Sequence, residues 1–219
     1  MPTAWRIGRG RIGLELRQFF RDRESAVFNF ALPVLLLIVF GSVFGGQDLG
    51  GTDVSFAQYF VAGMIASGIL YTSFQNLAIS IPIEREDGTL KRLRGTPMPK
   101  SSYFMGKVGT VVVAYVAQII VLITVGRVFY GLAIPTELSA WVTFAWLSAL
   151  GLIACTLLGI AYSVVPRQGK GASAVVAPVV LVLQFISGVF FIFSDLPTWM
   201  QNLASVFPLK WLAQGTIYP

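Results

Sequence analysis

The chain has 219 residues, of which 55% are hydrophobic and only 12% charged, about half the charged share of a typical soluble domain, so an integral membrane protein is the default class. It has no histidine and a single cysteine, Cys155, set in an apolar run, which counts against disulfide frameworks, thiolate metal clusters and histidine-dependent hydrolysis. The formal charge of +6 is not spread evenly but gathers in a few segments between apolar runs.

Residues 1–26 open the chain. Trp5, Ile12, Leu16 and Phe19 recur at helical spacing among arginines, a pattern that predicts an amphipathic helix lying on the inner leaflet; a disordered basic tail is the plainer alternative. The first apolar run begins only after residue 26 and is too long for an ordinary signal-peptide core, so no cleavable leader is expected. A bilayer core takes about 20 apolar residues per helix, since unpaired backbone amides are not tolerated in hydrocarbon. Five runs answer to that description: 27–44, 59–83, 108–126, 138–165 and 175–193. Pro33 in the first predicts a kink rather than a break. Gly41 with Gly45, and Gly151, Cys155 and Gly159 on the fourth run, read as close-packing faces.

The connecting segments set the expected direction. Six arginines precede the first run, six basic residues lie between the second and third, and Arg167 and Lys170 follow the fourth; the other segments hold only Arg127 and Lys210. By the positive-inside rule the N-terminus and the loop 84–107 face the cytosol. The final segment, 194–219, is then external; Leu196, Trp199, Met200, Leu203, Val206 and Phe207 predict short helices dipping into the outer leaflet as a re-entrant pair, with an interfacial aromatic belt as the alternative.

No ionisable residue falls in the central part of any run, so proton coupling is not expected. The polar residues there are mild, and most read as contacts between helices. Tyr71, Ser73, Gln75 and Asn76 are the candidates for lining a pathway. No metal-ligand or catalytic constellation is seen. A phosphate-binding loop needs a Gly-Lys followed by Ser or Thr, whereas Gly106-Lys107 is followed by Val108 and Gly169-Lys170 by Gly171. If energy is used, another polypeptide supplies it.

Within the loop EREDGTLKRLRGTPMPK, Asp87 is expected to cap a short helix that carries Leu90 and Leu93 on one face and ends at Gly95 and Pro97. Too short to stand alone in water, it presents a small apolar ridge rimmed by Lys91, Arg92 and Arg94, suited to a groove in a partner. The alternative, a basic loop lying on anionic lipid, is weakened by Glu84, Glu86 and Asp87.

This loop resembles the hallmark loop of ABC-type exporter permeases (the type 2 class), most closely the bacterial drug-exporter membrane subunits. Glu84, Arg85, Glu86, Gly88, Thr89, Leu90, Leu93, Pro97, Gly106 and Lys107 hold the places of that pattern. The segments FFRDRESAVFNFALPVLLLIVFG and LPTWMQNLASVFPLKWLAQG are similar to the family's surface helix with its Pro-containing first span and to its external short-helix pair. The resemblance implies an all-α membrane protein with 1–219 as a single transmembrane permease domain, although five spans are counted where the family has six. It further implies export of an amphiphilic or lipidic substrate from the cell by alternating access, in the cytoplasmic (inner) membrane. Glu84, Arg85, Glu86, Gly88, Thr89, Leu90, Leu93 and Pro97 would dock a cytosolic ATP-binding-cassette ATPase, and a second permease chain would complete a homodimer. ATP and magnesium would be held by the ATPase, so this chain needs no cofactor and is not itself an enzyme. A membrane scaffold or sensor that recruits a cytosolic partner, and an ion-coupled carrier, are the competing functions.

Overall fold

Hydrocarbon leaves a backbone no partner but itself, and the chain answers with helices throughout. The structure, a computed structural model, describes residues 4–21, 23–44, 56–96, 98–132, 135, 137–190, 193 and 196–217; no strand occurs among them. In chain order the elements are α1 (Ala4–Arg21), α2 (Arg23–Phe44), α3 (Phe56–Ile69), a π-helical turn (Leu70–Gln75), α4 (Asn76–Glu86), α5 (Thr89–Arg94), α6 (Lys100–Tyr130), α7 (Leu138–Tyr162), α8 (Ala172–Ile186), α9 (Thr198–Ser205) and α10 (Pro208–Ile217). Among the described residues three continuous segments are long and apolar enough to cross a membrane, Gln58–Glu86, Ser101–Tyr130 and Leu138–Tyr162, and two shorter apolar helices, Asn29–Phe44 and Ala172–Ile186, accompany them. The fold is that of an all-α membrane protein.

The second run is one rod made of α3, the π turn and α4. Its widened turn is visible in the N–H of Asn76, which reaches back to the carbonyl of Tyr71, an i→i+5 bond of the kind that marks a π-bulge. α6 is longer than the predicted 108–126 because its first two turns, although polar, pack against α1. The fifth run ends at Ile186 rather than 193, for Gly188 takes a positive φ of 76° and turns the chain. Pro33 and Pro178 sit inside α2 and α8 without breaking them.

α1 is held against the rest of the chain. Its face packs along α6: Gly8 meets Met105, Ile12 meets Gly109 and Arg11 meets Gly106, with Glu15 only 5% exposed. Leu14 and Phe20 remain outside, and the side chain of Trp5 lies outside the described residues. α2 joins α3 through Phe40 and Phe60, whose ring centroids are 4.9 Å apart. α7 crosses the π turn through Cys155 and Gly159, small residues that let backbones close up where lipid gives no hydrophobic drive; a Cβ on Gly159 would stand 2.8 Å from the Phe74 carbonyl oxygen. Gly41 lies under the Tyr130 ring, while its predicted companion Gly45 is outside the described residues. At the end remote from the charged loop, α10 enters between α3 and α7 and buries Leu209, Leu212 and Ala213. In α9 Ala204 is fully buried, whereas Trp199, Leu203 and, just past its end, Val206 stay exposed.

Candidate functional site

The acidic-basic run at the foot of α4 comes out as a turn tied to three neighbours. α4 closes with Asp87, whose N–H bonds to the Ile83 carbonyl at 2.9 Å. The expected cap at Asp87 is displaced by one residue: Gly88 opens α5, at φ 74°, with no side-chain cap. A left-handed residue between two helices turns the chain sharply, and glycine adopts it without steric cost. α5 therefore folds back from α4 as a separate six-residue helix. Leu90 and Leu93 are half-buried, Thr89 likewise, and Lys91, Arg92 and Arg94 point to solvent. Gly95 closes the helix as predicted; Pro97 lies outside the described residues.

Glu84, Arg85 and Glu86 each point to a different part of the chain. Glu84 accepts a hydrogen bond from the Tyr103 hydroxyl at 2.8 Å and forms an ion pair with Lys107, both on α6. Lys107 also reaches Glu15 of α1 at 2.9 Å, and Glu15 in turn pairs with Arg11 at 2.9 Å. Lys107 and Glu15 are 6% and 5% exposed, so these charges depend on one another for solvation. On the other side, an Arg85 guanidinium N–H donates to the Pro166 carbonyl at 2.6 Å. Glu86 accepts from the amides of Gly169 and Lys170. Gly169 permits this approach, since a Cβ there would lie 2.7 Å from the Ile83 Cα. One turn thus staples α1, α6 and the α7–α8 connection to the foot of α4.

A cavity of about 800 Å³ begins at this staple and runs toward the π turn, between α1, α2, α4, α6 and α8. Tyr71, Gln75 and Asn76 line its inner part. The wider winding of the π turn lets all three share that side. Tyr71 is steadied from α8, its hydroxyl donating to Gln184 Oε1 at 3.1 Å. Ser73 is placed elsewhere: it is fully buried, donates to the Ile69 carbonyl, and belongs to the face turned to α7. Three of the four pathway candidates come together, and the fourth does not.

Sequence reasoning passed over Glu15, Arg11 and Tyr103 as site residues. Glu15 was the harder to find: in an arginine-rich helix it reads as a partner of Arg11 four residues away, and nothing local points to Lys107, 92 residues on. Tyr103 carried a faint signal, an aromatic hydroxyl one turn before Lys107.

Apolar helices of membrane length, short reversing helices at one end and a charged, stapled turn at the other define a multi-pass membrane protein. The chain belongs to the ABC-2 type transporter family, whose profile matches residues 13–218. It is similar to the inner membrane transport permease YadH of Escherichia coli (strain K12), 25% identical over 205 residues that span 93% of this chain and 78% of that protein. It is also similar to the putative transport permeases ycf38 of Porphyra purpurea, 24% identical over 206 residues (92% of this chain, 69% of the relative), and of Pyropia yezoensis, 25% identical over 207 residues with the same shares. The chain is accordingly the membrane subunit of an ABC transporter and a multi-pass inner membrane protein.

Proposed function

We propose that this subunit moves an amphiphilic or lipidic substrate out of the cell by alternating access, driven by a separate cytosolic ATPase subunit that docks on the loop 84–107. The carrying observation is the division of labour in that loop: α5 projects its basic rim into solvent, while the residues at its root are bonded to three other elements. A short helix that is free on its outer side and anchored at its base suits the transfer of a push. Thr89, Leu90 and Leu93 form the contact ridge, with Gly88 setting its angle and Pro97 following it. Glu84, Arg85 and Glu86 pass the displacement to α6 and α1 on one side and to the α7–α8 connection on the other. The charged end faces the cytosol, ATP and magnesium sit on the ATPase, and two copies of the single domain 1–219 make the permease. Tyr71, Gln75 and Asn76 line the route, and ATP hydrolysis in the partner biases which side is open.

Leu90→Asp combined with Leu93→Asp places two carboxylates on the ridge, whose residues are only half-buried, so the chain should still fold. Extracted in lipid nanodiscs, the parent chain should retain an ATPase and the double variant should lose it. Full retention by the double variant, or a folded parent that never holds an ATPase, would end this reading.

A further inference from the structure

Four carboxamides, those of Gln18, Asn29, Gln75 and Asn76, line the cavity together with the hydroxyls of Tyr71 and Ser80. Among the described residues none of the four makes a side-chain hydrogen bond within the chain, and the buried Ser80 Oγ also has no partner. The charges on the same walls are arranged in the opposite way. Arg11 and Lys107 are both engaged by carboxylates, Glu15 pairing with each and Glu84 with the lysine. Asp87, at the mouth, stands outside that network.

Among the described residues, an anion entering the cavity meets only cations that are already paired, and a cation that passes Asp87 at the mouth finds the deeper carboxylates, Glu15 and Glu84, taken. Either would surrender hydration without a counter-charge in return. A carboxamide carries donor and acceptor on one group, and its best complement carries both as well: hydroxyls and amides do, ethers, esters and quaternary ammoniums do not. Phe19, Leu32 and Ile79 on the same walls offer a surface for hydrocarbon. We infer that the cavity binds the uncharged, hydroxyl- or amide-rich head group of an amphiphile and discriminates against charged head groups on the same tail. This rests on the transport reading above and narrows its substrate class.

The test places a photo-crosslinker in the cavity, Ile79→p-benzoylphenylalanine, in full-length chain held in nanodiscs. Three probes share a dodecyl tail: dodecyl maltoside, dodecyl phosphate and dodecyltrimethylammonium. A reference crosslinker, Val116→p-benzoylphenylalanine, sits in the apolar groove between α6 and α7 and reports partition into the bilayer alone. Relative to that reference, maltoside adducts at position 79 should exceed those of either charged probe about tenfold, the factor expected when one or two polar groups go unpaired. Gln75→Leu with Asn76→Leu should remove the preference, with an unchanged melting temperature of the nanodisc-held chain showing that the fold survives. Where melting shifts, the milder Asn76→Ser should weaken the preference by severalfold. Equal labelling by a charged probe, the same preference at position 116, or a preference that persists in a folded Gln75→Leu/Asn76→Leu or Asn76→Ser variant would overturn the assignment. Retention of the ATPase is measured on the same samples, so that failure of head-group selection is separable from failure of the transport reading.

Discussion

At Lys107 three parts of the chain meet on one ammonium group. The residue is almost wholly buried, and its two carboxylate partners come from α1 and α4. Pairs of this kind are not strong sources of stability in themselves, because desolvation offsets attraction; removing one partner is what costs, since it strands the other charge. Lys107→Met should therefore destabilise the chain by about 3–5 kcal/mol, read as a lower unfolding midpoint in nanodiscs. Glu15→Gln keeps the shape and leaves Lys107 with Glu84, and should cost less, about 1–3 kcal/mol. A Lys107→Met chain as stable as the parent would show that these charges are solvated by something other than each other. This is also the level at which the sequence was least legible. The order Glu-Arg-Glu-Asp-Gly marks the turn as special, but the partners of its charges are set by contacts between residues tens of positions apart, which no local period encodes.

Among the elements, the α7–α8 connection depends most on a single acceptor. Glu86 takes the amides of Gly169 and Lys170, and Arg85 holds the Pro166 carbonyl three residues earlier. Glu86→Ala should free the connection, and the amides of Gly169 and Lys170 should exchange with deuterium about tenfold faster, equivalent to the loss of one hydrogen bond. Glu86→Gln retains an acceptor oxygen and should leave exchange close to the parent rate; fast exchange in the glutamine variant would tie the protection to charge. Elements were more readable than contacts. Apolar runs located the helices of the bundle, and the basic flanks located the charged end. What the runs hid was the π turn, since Leu-Tyr-Thr-Ser-Phe-Gln has no composition that separates an i→i+5 winding from ordinary helix. The extra length of α6 was equally hidden: its polar first turns look like loop until α1 covers them.

For the molecule as a whole, the arginine and lysine count implies one direction. Fourteen of the sixteen basic residues, Arg6 to Arg23, Arg85 to Lys107, Arg167 and Lys170, belong to one set of alternate segments. A cysteine introduced by Arg92→Cys should react with a membrane-impermeant maleimide only when the cytosolic face is opened, whereas Val206→Cys, on the most exposed part of the reversing pair, should react in intact spheroplasts. The opposite pattern would put the loop 84–107 beyond the reach of any cytosolic ATPase and end the proposed docking.

α6 runs without interruption for 31 residues, about 46 Å at 1.5 Å per residue, against a hydrocarbon layer of roughly 30 Å. It is an unbroken rod longer than that layer is thick. Lys107 is fixed near one end, and at the other the Tyr130 hydroxyl grips the Ile38 carbonyl of α2 at 2.9 Å. A push delivered at the staple should therefore reach the Tyr130–Ile38 contact, and Tyr130→Phe, which removes that contact, should uncouple the far end of α2 from α6.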